Sequence, residues 1–269
     1  MAVRARLRAI ASQTVAIVAD GRYRSSAGHE VDLAGDIRAA IAGTRMYGPG
    51  DVADVPAPGR VAPAIEVTSE TSLQATRRLG GTVACLVFAS AKNPGGGFRT
   101  GAQAQEESIA RASALHACLE SVPEFYAFHR EQHDLRYSDR VIYSPAVPVF
   151  RDDQGALLED PYPVSFLTCA APNLSAILRD QPGDAGTVPD VLAARAGRVL
   201  RIAAACGHRT VVLGAWGCGV FGNDPATVAA AFADQIARTG GWFDRIVFPV
   251  YDRRPGTPAH AAFARTFSQ

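Results

Sequence analysis

No run of apolar residues in this chain approaches the roughly 18 that a membrane-spanning helix requires, so the sequence predicts a soluble protein. Cysteine is scarce: Cys85, Cys118, Cys169, Cys206 and Cys218 are an odd number, sit mostly in apolar stretches and form no CxxC pair. That excludes a disulfide scaffold and fits a reduced, cytoplasmic setting. Surplus charge is also lacking, with 27 Lys and Arg against 26 Asp and Glu. No general basic field exists to track a nucleic-acid backbone or an anionic membrane, so neither is an expected partner, and a polyanionic ligand must be held locally. GxxxxGK[ST] and GxSxG are both absent, which removes the P-loop and the hydrolase nucleophile elbow. His116, His208 and Cys206 lack the spacing of a zinc site, so no metal and no cofactor are expected. The N-terminus starts basic but continues as an amphipathic helix without a cleavage-site pattern, and reads as structural.

Residues 1–80 read as a helix-rich accessory region, with a first helix to about Asp20, an extended piece near 29–33 and a helix near 36–43. A Pro- and Gly-rich loop over 47–63 follows, then a short helix capped by Ser69 or Thr71. From residue 82 apolar runs of strand length alternate with helical patterns: a strand over 82–90, a helix over 106–121, strands in VIYSPAVPVF and VSFLTCAAPN, a helix over 189–206, a strand in RTVVLGAW, a helix from Asp224, and a last strand in DRIVFPVY. The expected architecture is an α/β core over 81–269, a mixed and largely parallel sheet between two layers of helices.

Two glycine-rich loops are predicted to leave that sheet at the carboxyl ends of strands, where open α/β folds bind ligands. In the first, Gly95, Gly96 and Gly97 let backbone N–H groups approach a ligand, and Asn93 offers both a donor and an acceptor. Glu106 and Glu107 open the next helix, where the macrodipole alone would favour acids. Two adjacent carboxylates also repel, which favours a proton on one of them, as a general acid requires. Neighbours on a helix diverge by about 100°, so the two are not expected to share one role in one place. The second loop, residues 214–225, runs into a helix whose N-terminus carries Asn223 or Asp224 as cap and Pro225 as first residue, an arrangement that attracts phosphate. Phe221 in that loop reads equally as a platform for a sugar or as a plug over the sheet edge. Gly217, Gly219 and Gly222 also spell GxGxxG, but a single strand follows the next helix, too little chain for a dinucleotide-binding fold.

The run FASAKNPGGG, then AQEES, resembles the signature of the bacterial-type poly(ADP-ribose) glycohydrolases: a triple glycine, a short spacer, and Gln-Glu-Glu. Here Gly95 to Gly97 and Gln105, Glu106 and Glu107 match it, with seven residues, Phe98 to Ala104, between them. GAWGCGVFGN is similar to that family's diphosphate loop, and ASQTVAIVADGRY, IYSPAVPVFRD and VFPVYD extend the likeness over most of the chain. The resemblance implies a macrodomain-like three-layer fold with an N-terminal helical extension, and a metal-independent hydrolysis of the ribose–ribose bond. By position it implies Glu107 as the catalytic acid and Glu106 beside the scissile ribose. Asn93, Gly95, Gly96, Gly97 and Gln105 would line the ribose and its phosphate. Gly217, Cys218, Gly219, Val220, Phe221, Gly222 and Asn223 would hold the diphosphate and terminal ribose, and Tyr251 the adenine. The implied partners are poly(ADP-ribose), ADP-ribose and poly-ADP-ribosylated proteins, met by a monomer. A non-catalytic ADP-ribose reader would share both loops without needing the two glutamates, and an enzyme that removes single ADP-ribose units is the other alternative.

Overall fold

The computed structural model describes residues 2–51, 55, 59 and 61–267. The Pro- and Gly-rich stretch over 47–63 therefore lies partly outside the described residues. The most apolar run, β5 (Val83–Phe88), is the middle strand of a seven-stranded sheet. Its alternate residues serve two cores: Ala84 and Leu86 face one, Val83, Cys85 and Val87 the other, all at 0–2% exposure. A strand buried on both faces needs helices on both sides, and each fully buried Leu or Val contributes about 1.5–3 kcal/mol to holding that sandwich together.

The strand order is β3-β6-β7-β5-β8-β9-β4, from β3 (Arg45–Tyr47), β6 (Val141–Arg151), β7 (Leu157–Cys169), β8 (Thr210–Val212), β9 (Arg245–Pro249) and β4 (Ala64–Thr68). All of these strands run one way except β6, which is antiparallel to both its neighbours. The first core cluster holds α7 (Leu174–Asp180), α8 (Val188–Ala205), α9 (Pro225–Thr239) and α10 (Pro258–Phe267). The second holds α1 (Ala2–Asp20), α2 (Ala34–Gly43), α3 (Ser72–Leu79), α4 (Gln105–Ala112), α5 (Leu115–Glu120) and α6 (Pro123–Glu131). The result is the three-layer α/β/α arrangement with a helical N-terminus, and the strand order is not that of a dinucleotide-binding fold. A small hairpin of β1 (Arg22–Arg24) and β2 (Glu30–Asp32) lies apart from the main sheet.

Several elements differ from the sequence reading. The helix expected over 106–121 breaks at Ser113, whose backbone is extended (φ −143°, ψ 177°). There the chain bridges to Val149, and the Ser113 hydroxyl takes over a carbonyl of the previous turn by donating to Ile109 O at 2.8 Å. The strand expected over 209–216 is paired only at β8, because the chain leaves the sheet after Val212 to form the second glycine loop. The short edge strands β3 and β4, absent from the sequence reading, come from the first 80 residues and complete both sides of the sheet.

Candidate active site

β5 and β8 are parallel neighbours, so the two glycine loops leave adjacent strands at the same edge of the sheet. β7, β9 and β4 end on that edge too. The cleft between them is lined by Phe88, Gln105, Ala215, Cys218, Gly219 and Tyr251, among others.

The first loop closes on α4 through the two glutamates. Gly97 N–H donates to Glu107 Oε1 at 3.0 Å, and Ser90 N–H donates to Glu106 Oε2 at 2.6 Å. The side chains do leave the helix in different directions, but the loop folds back over the helix start and both reach it. Gly96, in the left-handed region at φ +58°, lies between them: an added Cβ would strike Glu107 Oε1 and come within 3.0 Å of Glu106 Oε2. The two carboxyls keep different partners, and the loop meets both diverging side chains at once. Only glycine fits at 96, for its conformation and for its lack of a side chain.

The two acids differ in surroundings. Glu106 is 2% exposed, and its Oε1 has no hydrogen-bond partner among the described residues. Burial pushes its carboxyl well above the ordinary range, the Ser90 N–H opposes this, and the charge of Glu107 adds to the rise. Glu107 is half-buried, and its Oε2 makes no hydrogen bond among the described residues. Asn93 is exposed at the loop's entrance, where its carbonyl accepts from Gly96 N–H at 3.0 Å. Gln105 spends its amide on the scaffold: Oε1 accepts from Phe88 N–H at 2.9 Å, and Nε2 donates to Leu86 O at 2.7 Å and to Ser72 Oγ at 3.1 Å. It fixes the start of α4 to the end of β5.

The second loop is held from below. Trp216, 1% exposed, donates its indole N–H to Cys169 O at 2.9 Å. Asn223, also buried, donates to Pro172 O at 2.8 Å and to Gly217 O at 3.2 Å. It is a strut inside the loop, and the cap of α9 is Asp224, whose Oδ2 accepts from Thr227 N–H at 2.9 Å. Gly217, at φ +74°, leaves no room for a side chain against Asn223 and Ala171. Cys218 is buried, while Gly219, Val220 and Gly222 are exposed on the loop's outer face. Val220 is 86% exposed. Phe221 is half-buried beside Tyr137, ring centroids 5.9 Å apart, and packs against the core cluster of α8 and α9. Tyr251, 55% exposed, follows β9 on the cleft's rim and accepts from Arg253 Nε at 2.9 Å.

The residues weighed as metal ligands lie elsewhere. His116 packs on Phe98 beneath the first loop, His208 bonds Tyr143 across 2.9 Å, and Cys206 lies 3.5 Å from the Tyr47 hydroxyl. Among the described residues no three potential ligands gather, and no helix is long and apolar enough to cross a membrane.

No curated protein matches the chain. The family model of the microbial-type PARG catalytic domain matches residues 11–152, just over half of the sequence. Among solved structures, the poly(ADP-ribose) glycohydrolase of Thermomonospora curvata superposes with a TM-score of 0.92 at 51% identity, covering 98% of this chain and 100% of that one. The same enzyme bound to the inhibitor ADP-HPD gives 0.88 at 51% identity, with the same coverage. The Deinococcus radiodurans glycohydrolase in complex with ADP-ribose gives 0.80 at 42% identity, covering 88% of this chain and 98% of that one. With the triple glycine, the paired glutamates and the second loop gathered on one sheet edge, and relatives this similar over nearly the whole length, the chain belongs to the microbial-type poly(ADP-ribose) glycohydrolase family.

Proposed function

We propose that the chain hydrolyses the ribose–ribose O-glycosidic bond of poly(ADP-ribose), releasing ADP-ribose, with Glu107 as both acid and base. The observation that carries this is the Glu107 carboxyl, oriented by Gly97 N–H through one oxygen and leaving the other without a hydrogen-bond partner among the described residues. The relatives' complexes with ADP-ribose and with ADP-HPD support ADP-ribose as the ligand of this cleft.

In this reading the scissile ribose lies on Asn93 and Gly95 to Gly97, the diphosphate along the amides of 217–223, and the adenine by Tyr251. Protonated Glu107 gives its proton to the departing ribose 2′ oxygen as the C1″–O bond breaks through an oxocarbenium-like state. Water adds to C1″, and the Glu107 carboxylate takes the water's proton, which restores the acid. Main-chain amides hold the diphosphate near the developing cation. Glu106, whose carboxyl is pushed above its ordinary range by burial, helps to hold the ribose. The substrates are polymer on modified proteins, and a monomer suffices because every group named comes from one chain. Glu107→Gln keeps the side chain's size and its bond to Gly97, so it is expected to bind ADP-ribose and to release none from polymer. A variant that degrades polymer near the wild-type rate would refute the assignment.

A further inference from the structure

Glu107 is half of a closed hydrogen-bonded circuit that returns to its own helix one turn later. Its Oε1 accepts from Gly97 N–H at 3.0 Å. The Gly97 carbonyl accepts from Ala102 N–H at 3.0 Å and from Thr100 N–H at 3.1 Å, which coils the seven-residue spacer onto itself. The Ala102 carbonyl accepts from Arg111 Nη1 at 2.7 Å. Arg111 lies four residues after Glu107 on the same face of α4, so the loop that orients Glu107 is fastened by a side chain of the helix that carries it.

The fastening is itself anchored. Arg111 is 6% exposed, and burial lowers its pKa, an effect the charge of Glu107 opposes. Its carbonyl, in the last turn of α4, has no helical partner to come and accepts from the buried Thr14 hydroxyl of α1 at 2.6 Å. Thr14 Oγ1 in turn accepts from Arg151 Nε at 3.0 Å, and Arg151 also donates to Gln13 Oε1 at 2.9 Å and Gly155 O at 2.8 Å. Ala11 of α1 fills the gap between Phe98 and Ala110, all three at 0–1% exposure.

We infer that Arg111, backed by Thr14, is a positioning residue for hydrolysis: although it borders the cleft, its guanidinium is committed to Ala102 O, and it sets the placement of the Glu107 carboxyl through Ala102 and Gly97. The inference rests on Glu107 being the acid. The diphosphate and adenine parts of the cleft belong to other loops, so loss of the circuit acts on turnover more than on ligand binding, which it touches only through the ribose contacts of Gly95 to Gly97.

The test is Arg111→Met beside Arg111→Lys, with kcat on polymer and the Kd of ADP-ribose measured for each. Arg111→Met is expected to lose on the order of 10- to 100-fold in kcat, as for a catalytic group misplaced by a fraction of an ångström to one ångström. Its Kd rises far less than its kcat falls, and Arg111→Lys, which still reaches a carbonyl, recovers a substantial part of kcat. Wild-type kcat in Arg111→Met, a parallel loss of kcat and affinity, or no difference between Lys and Met overturns the inference. Where Arg111→Met does not fold, Thr14→Val against Thr14→Ser decides by the same split: a kcat loss in Val alone supports it, and equal rates sink it. Glu107→Gln separates the two levels. Inactive Glu107→Gln with fully active Arg111→Met rejects only the circuit, whereas active Glu107→Gln rejects the acid.

Discussion

Gly96→Ala is the sharpest perturbation of the site, because it adds one carbon at the point where both glutamates converge. The new methyl would meet Glu107 Oε1 and Glu106 Oε2, and the φ of +58° is costly for any residue with a Cβ. The conformational part costs about 1–2 kcal/mol. For a domain of this size that lowers the unfolding midpoint by roughly 2–8 °C, so the variant remains folded at 25 °C. Of the two carboxyls, Glu106 is walled in, 2% exposed and bonded to Ser90, while Glu107 is half-buried. Glu107 is therefore the one that moves, losing its bond to Gly97. A displacement near 1 Å costs on the order of 100-fold in kcat. The assay pairs initial rates of ADP-ribose release from saturating polymer with calorimetric titration of free ADP-ribose. A variant that melts a few degrees lower but turns over at the wild-type rate would show that the glutamates have room to spare, and the geometric argument for Glu107 would fall with it.

Further outcomes follow from the surroundings of Glu106 and of Val220. The folded pKa of Glu106 is raised by burial, so wild-type stability includes a contribution that is complete below the ordinary carboxylate range and is lost as pH rises from there through the folded value. Glu106→Gln removes this dependence. The difference in melting temperature, variant minus wild type, is expected to grow as pH is raised from 4 to 7; a constant difference would contradict the buried neutral acid. Val220→Asp places a charge on an 86% exposed tip of the second loop without disturbing the core, so its melting temperature is unchanged. At about 1 kcal/mol for unit charges roughly 4 Å apart in water, ADP-ribose affinity falls by roughly fivefold. An unchanged Kd places the diphosphate elsewhere.

The sheet's interior was legible in the sequence, because β5 and β9 are apolar on both faces and β-rich in composition. The starts of two helices were legible to within a choice of caps, Ser69 or Thr71 and Asn223 or Asp224: the structure uses Thr71, in a capping box with Gln74, and Asp224 ahead of Pro225. Both glycine loops were visible, and the sheet brings them together on one edge as their place after strands implied. The edges were not legible. β3 and β4 are three and five residues long and only partly buried, and their membership of the sheet depends on pairing with strands far along the chain. The break at Ser113 was hidden for a similar reason, since it answers to Val149 and Pro148 and not to any local breaker. Within the site, periodicity located Glu106 and Glu107 but not their meeting at Gly96, because a helical wheel describes where side chains depart and not where a loop comes back to meet them. Arg111 and Thr14 gave no signal at all, being ordinary residues on helical faces until the loop and α1 are placed.

The far end of the β6–β7 pair has a bearing on how the molecule assembles. Asp153 there accepts from Thr71 Oγ1 at 2.9 Å across 82 residues, and Arg151 reaches Thr14 across 137. Neither contact can form until about 150 residues of chain have been made, and closing such long loops is slow. During synthesis α4 thus waits, already made but unbraced, for a hairpin that emerges some 40 residues behind it, and the brace through Thr14 arrives late in folding.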